Sequence, residues 1–137
     1  FLFQIIGIPL FLIYYIAIIS VFYNFLKLKI TVCQKHILLQ FGFFKRKIDL
    51  NSIKTVCPST YTLKDFGGFG IRLNIKKKLV GYNMPGDQRQ GILINFDENG
   101  LDKRVFVSSK DPNKLIEAVR SVNNTIKEEP SIAIKDL

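Results

Sequence analysis

The sequence predicts a mainly β protein: an N-terminal transmembrane helix, then an antiparallel β-barrel or sandwich of about seven strands, capped by a C-terminal amphipathic α-helix. Three observations lead there. Residues 1–26 carry no charged side chain, short alternating apolar runs follow, and residues 111–126 show an apolar stripe at helical spacing. The 137 residues divide accordingly into a helix over 1–26, a domain over 27–126 and a flexible tail over 127–137.

A helix over 1–26 reaches about 39 Å at about 1.5 Å per residue, enough for a hydrocarbon core of ~30 Å with some tilt. A cleavable signal peptide fits poorly, because the stretch lacks a basic start, a short apolar core and a small-residue cleavage site. Beginning in apolar sequence without Met, the chain reads as truncated at its N-terminus. Pro9 either kinks the helix or marks its first turn. All 20 Lys and Arg lie from Lys27 onward, in a chain of net charge +9. Lys27, Lys29 and Lys35 directly follow the apolar stretch, so the positive-inside rule puts the body of the chain on the cytoplasmic side of the cell membrane.

In "LKITVCQ" (28–34), Leu28, Ile30 and Val32 share one face, and "ILLQF" (37–41) repeats the pattern with Ile37, Leu39 and Phe41. Lys35-His36 between them has the length of a tight hairpin turn. Gly42 turns the chain into "FFKRKIDL" (43–50), with Ile48 and Leu50 inward. "SIKTVCPS" (52–59) is a weaker strand that Pro58 stops. "IRLNI" (71–75), "LVGYNM" (79–84), "GILINF" (91–96) and "RVFVSS" (104–109) are separated by Lys76–Lys78, Pro85-Gly86-Asp87 and Asp97–Gly100. Alternation puts Ile71, Leu73 and Ile75 inward. The helix of 111–126 has Asp111 as N-cap and Pro112 at its first position, with Leu115, Ile116, Val119, Val122 and Ile126 on one face. Pro130 argues against its continuation into the tail.

From about residue 28 to 122, the order "ITVCQKHILLQFG", "IDLNSIKTV", "DFGGFGIR", "GYNMPG", "GILINF" and "VFVSSKDPNKLIEAV" resembles a family of small prokaryotic membrane proteins with a bacterial PH-like (pleckstrin-homology-like) domain. The resemblance implies a PH-like barrel closed by the C-terminal helix, with one or two spans before it. It brings no assigned activity. Phe69 stands where the family often has Trp, and Lys35-His36 stands where it usually has Asp-Gly.

The glycine stretch 64–72, "KDFGGFGIR", raises the possibility of a phosphate cradle. Nucleotide loops sit between a strand and a helix, whereas an alternating strand follows here, with no Lys-Ser/Thr after the glycines. Gly67, Gly68 and Gly70 are therefore expected at positive φ in a structural loop, pinned by Phe66 and Phe69. Arg72 either pairs with a neighbour such as Asp65 or faces an anionic group. Arg72, Asp65 and Tyr82 are the candidate ligand- or partner-binding residues. The candidate lipid-facing basic residues are Lys27, Lys29, Lys45, Arg46, Lys47, Lys76, Lys77 and Lys78. Each Lys or Arg held near an anionic leaflet contributes on the order of 1 kcal/mol.

Two cysteines, Cys33 and Cys57, make no disulfide framework, and His36 as sole histidine leaves no zinc constellation. No paired carboxylates or activated nucleophile appear, so catalysis, a cofactor and a metal are not expected. Nucleic-acid binding would need aromatics exposed on a sheet, and here they sit in apolar patterns. The reading is a membrane-anchored, non-catalytic interaction or scaffold module contacting a membrane-protein partner or anionic lipid headgroups. The alternative is a small-ligand binder or enzyme using a pocket near Gly67–Arg72 and Tyr82.

Overall fold

A computed structural model describes the backbone of residues 2–24 and 26–137, and the side chains of 7–23 and 26–137. Helix α1 (Leu2–Asn24) runs unbroken through Pro9, so neither a preceding bend nor a stop occurs there. Its large side chains from Ile8 to Tyr23 are exposed, and among the described side chains none of α1 belongs to either core of the β domain. Among the described residues no helix is long and apolar enough to cross a membrane. The expected span over 1–26 lies partly outside the described residues.

Strands β1 (Leu28–Val32), β2 (His36–Phe41) and β3 (Phe44–Asp49) form a small antiparallel sheet in that order. Its first turn is one residue longer than expected, since Cys33–Lys35 connect the strands and His36 already belongs to β2. A single 3-10 turn, Leu50–Ser52, leads into the larger sheet, with the Asp49 carboxylate accepting from the Asn51 amide at 2.9 Å.

The larger sheet comprises β4 (Ile53–Thr60), β5 (Gly70–Asn74), β6 (Leu79–Asn83), β7 (Gln90–Glu98) and β8 (Leu101–Ser108), in the order β4-β7-β8-β6-β5. Asn99 and Gly100, both at positive φ (59° and 76°), close the β7–β8 hairpin as the mirror-image turn favoured by Asn-Gly. Because β8 inserts between β7 and β6, β6 and β8 run parallel. The expected all-antiparallel meander is corrected on that point. No strand pairing joins the two sheets among the described residues, so they form a layered structure and not a closed barrel.

The first core fills the space between the sheets and beneath α3 (Pro112–Val122). Ile37, Leu39, Phe41, Ile48 and Leu50 come from the small sheet and its turn, and Val56, Ile92, Ile94, Phe96, Val105 and Val107 from the large one. Ile116 and Val119 supply the helix face. Asp111 caps α3 by accepting from the Lys114 amide at 3.1 Å. The helix stops at Val122, four residues before the expected end, because the Asn123 side chain turns back to bond the Thr125 amide and the Leu50 carbonyl. Val122 is consequently exposed, while Ile126 reaches the core from beyond the helix.

The opposite face of the large sheet carries a second core of Cys57, Tyr61, Phe66, Leu79, Leu93, Phe106 and Ile134. Its cover comes from a short helix, α2 (Leu63–Phe66), and from residues 127–137. In place of the expected flexible tail, β9 (Lys127–Glu128) and β10 (Ile132–Ala133) lie parallel along β4, and Ile134 is fully buried. Pro58 does not end β4, which pairs with β7 as far as Thr60. Val56 accepts from the Glu129 amide at 2.9 Å, so Val56 and Pro58, two residues on, both turn their backbone groups to the tail. Pro58 has no N–H to offer there. The tail leaves the edge at Glu129–Ser131 and rejoins it at Ile132 opposite Ser59.

Strand β5 departs from expectation as well. Ile71, Leu73 and Ile75 are 37%, 64% and 79% exposed, because β5 is the outer edge of the large sheet and its inward positions receive little cover from the small one.

Candidate functional site

The glycine stretch is a loop between a helix and a strand, as its chemistry requires. Gly67 ends α2 in the left-handed conformation (φ 70°), and Gly68 and Gly70 also take positive φ. Phe66 is buried and lies over Gly81 of β6, where an added Cβ would come within 2.6 Å of the ring. Asn83 donates to the Gly68 carbonyl at 3.4 Å. "DFGGFG" and "GYNMPG" are thus halves of one packing unit. Phe69, expected to pin the loop with Phe66, is exposed.

Arg72 and Asp65 do not pair. The Asp65 carboxylate accepts from the Thr62 amide at 2.7 Å and from the Thr62 hydroxyl at 2.9 Å, closing the first turn of α2 as a capping box. Arg72 donates from Nε to the Phe69 carbonyl at 2.9 Å, and its guanidinium lies beside Gly68. Tyr82 is buried in the first core, whereas Arg72 sits opposite Gly81 on the other face of the sheet. The three residues do not converge on one pocket.

A buried polar pair with no signal in the sequence lies nearby. The Tyr61 hydroxyl donates to the Asp87 carboxylate at 3.0 Å, and Asp87 also accepts from the Arg89 amide at 2.8 Å. Burial pushes the Tyr61 phenol well above its ordinary range, and the Asp87 charge adds to this. The pair ties the 85–89 crossover to the start of α2.

A cavity of about 660 Å³ opens between the large sheet and the tail, lined among others by Lys54, Cys57, Asn95, Arg104 and Glu129. Its charges are mostly engaged within the protein. Lys54 donates to Asp102, which holds the ammonium above its usual range. Lys103 donates to Glu98 and keeps that carboxyl below the usual range, with Arg46 adding to the effect. None of Gly67, Arg72 and Tyr82 lines this cavity. Among the described residues no group of three or more His, Cys, Asp and Glu is placed to hold a metal ion.

Strand register divides the basic residues. Leu28 pairs with Phe41 and Phe41 with Phe44, forming the row at the end of the small sheet that joins α1. The next row is Lys29–Gln40–Lys45, with both lysines on the outer face. Lys27 precedes them, its ammonium 4.6 Å from the centre of the Tyr23 ring. Lys47 shares that outer face two rows away. Arg46 points the other way, 5.5 Å over the Phe96 ring and 3.8 Å from Glu98, and so leaves the basic set. Lys76–Lys78 lie in the β5–β6 turn, where Lys77 donates to the Ile134 carbonyl beside the second core. They do not share a face with Lys29 and Lys45. At the β2–β3 tip, Phe43 and Phe44 are 71% and 60% exposed. Gly42 before them marked a turn in the sequence, but only the register shows which end of the sheet that turn occupies.

No protein-family model, curated protein or solved structure matches this chain.

Proposed function

We propose that the chain is a membrane-anchored, non-catalytic interaction module of PH-like build, its β domain held at the cytoplasmic surface of the cell membrane against anionic headgroups or a membrane-protein partner. The observation that carries this reading is the junction of α1 with the small sheet. Helix α1 has no charged residue, and its described large side chains, from Ile8 to Tyr23, are exposed and lie outside both cores. Immediately beyond it, Lys27, Lys29 and Lys45 collect at one end of one sheet. Exposed apolar surface of that extent is unfavourable in water and favourable in hydrocarbon, and lysines at its end suit the inner leaflet. The PH-like outline is supported by two β layers with a helix over the first core, and by the packing of "DFGGFG" on "GYNMPG".

Alkaline carbonate extraction of membranes from cells making the full chain tests the reading. The chain is expected to stay with the lipid pellet. Its release into the supernatant, in folded form, overturns the anchor.

A further inference from the structure

We propose that the β2–β3 hairpin tip is a second, shallow membrane contact, with Phe43 and Phe44 inserted among the headgroups of an anionic bilayer and Lys27, Lys29 and Lys45 on the phosphates around them. The inference rests on the membrane reading above and adds the element that sets the domain's orientation.

The geometry follows from register. Three residues separate Asn24, which ends α1, from Leu28, which begins β1. Four steps of about 3.8 Å keep Leu28 within ~15 Å of the end of the helix. Leu28, Phe41 and Phe44 stand side by side on adjacent strands, so Phe44 is a further ~10 Å across the sheet. A bilayer that takes up α1 therefore lies within reach of the tip.

Chemistry selects the occupant. Phe43 occupies the turn after Gly42, whose φ of 58° the two-residue connection uses, so a short, stiff loop presents the ring. Leu26, also exposed, adds an apolar side chain on the α1 side. Between residues 27 and 49 the only acidic residue is Asp49, which pairs with His36 at the far end of the sheet. The tip is thus apolar at its extremity and basic one row behind, and its own strands carry no carboxylate before Asp49; from the large sheet, Glu98 reaches Arg46 two rows behind the tip, and the buried Asp87 shares a pocket with Leu26 and Leu28. That order matches a bilayer from acyl chains outward through anionic headgroups. A protein groove would satisfy the phenylalanines but would not account for the lysine row at the same depth on both outer strands.

The chain contains no Trp, which gives a clean optical test. Phe43→Trp and, separately, Phe11→Trp in α1 are made in the full chain. Each is reconstituted into vesicles of phosphatidylcholine and phosphatidylglycerol carrying brominated acyl chains. The expected result is quenching of both, with blue-shifted emission from the Phe43→Trp chain, and weaker quenching of that chain in pure phosphatidylcholine. If Phe11→Trp is quenched and Phe43→Trp emits as in water, the tip proposal fails and the anchor stands. A blue shift without bromine quenching puts the tip against protein and also overturns it. If neither is quenched, the membrane reading falls and takes the tip proposal with it.

Discussion

The two faces of the large sheet are closed in different ways. One is covered by a second sheet and by α3, and its core is mostly aliphatic, with Ile92, Ile94, Val105 and Val107 clustered with Ile37, Leu39 and Ile48 and with only Phe41, Tyr82 and Phe96 as aromatic members among the described residues. The other is covered by a single-turn helix and a strap of eleven residues over a compact aromatic cluster. Tyr61 and Phe106 meet edge to face at 5.1 Å, and Phe66 stacks on Phe106 at 5.7 Å. The first face is built by regular elements whose stripes match the sheet. The second relies on a few large rings, a glycine that lets one of them approach, and one buried isoleucine from the strap. Regular cover spreads its stabilisation over many residues, whereas irregular cover concentrates it.

The largest expected effect comes where the faces share a backbone constraint. A Cβ at Gly91 would lie 2.1 Å from the Val107 carbonyl oxygen and 2.7 Å from the Ser108 Cα. Backbone cannot yield as a flexible side chain does. Gly91→Ala is expected to cost on the order of 4 kcal/mol or more and to abolish the cooperative urea transition seen by near-UV circular dichroism. A normal transition would show that the β7–β8 pairing tolerates displacement and that the sheet is less constrained than its two cores imply.

Ile134→Ala separates the faces. Truncating a fully buried isoleucine costs about 2–5 kcal/mol, and here the loss should be local. Hydrogen exchange is expected to quicken in β9, β10 and the β4 amides that face them, while β2 keeps its protection. Equal acceleration in β2 would mean that the two covers unfold together, and the contrast between them would be lost.

The smallest effect probes the polar support of the second face. Tyr61→Phe removes a donor from the buried Asp87 carboxylate and should cost about 1–3 kcal/mol at neutral pH. The native chain carries a pH signature as well. Folded Tyr61 keeps its proton above the ordinary tyrosine pKa of about 10, at which the unfolded phenol ionises. The stabilisation is complete below that pH and is lost as pH rises from there toward the folded value. The phenylalanine variant should lack this share of the alkaline loss in a series of urea midpoints. An unchanged alkaline slope would place the titration elsewhere.

The first face was largely legible because alternation reports burial directly. Leu28, Ile30 and Val32, and Ile37, Leu39 and Phe41, all sit on the face where their period-2 pattern puts them. The same logic failed at Ile71, Leu73 and Ile75, since alternation names a face and says nothing about whether another layer covers it. The second face was mostly hidden. "YTLKDF" is too short for helical periodicity, and "EEPSIAI" has the composition of a loop, yet each becomes ordered by docking a single large residue, Phe66 or Ile134. The glycines of 67–70 were readable as positive-φ positions because no other residue adopts such angles cheaply. The partner of Arg72 was not readable. Proximity in sequence suggested Asp65, but a carboxylate three residues after Thr62 is better used on the exposed amide and hydroxyl at the start of a helix. The basic runs shared that ambiguity, since only strand register separates Lys45 from its neighbour Arg46 on the opposite face.

The interruption of the strap at Pro58 has a consequence for the protein's behaviour at high concentration. A β4 edge uncovered by a lifted strap would be an invitation to strands from other molecules. Pro58 breaks the row of donors in the middle of that edge, so an incoming strand could pair only on either side of the gap, as β9 and β10 do. Two such short runs hold when they belong to the same chain, and they give a foreign strand little to hold. The residue that keeps the native cover discontinuous thereby limits sheet-to-sheet growth whenever that cover opens.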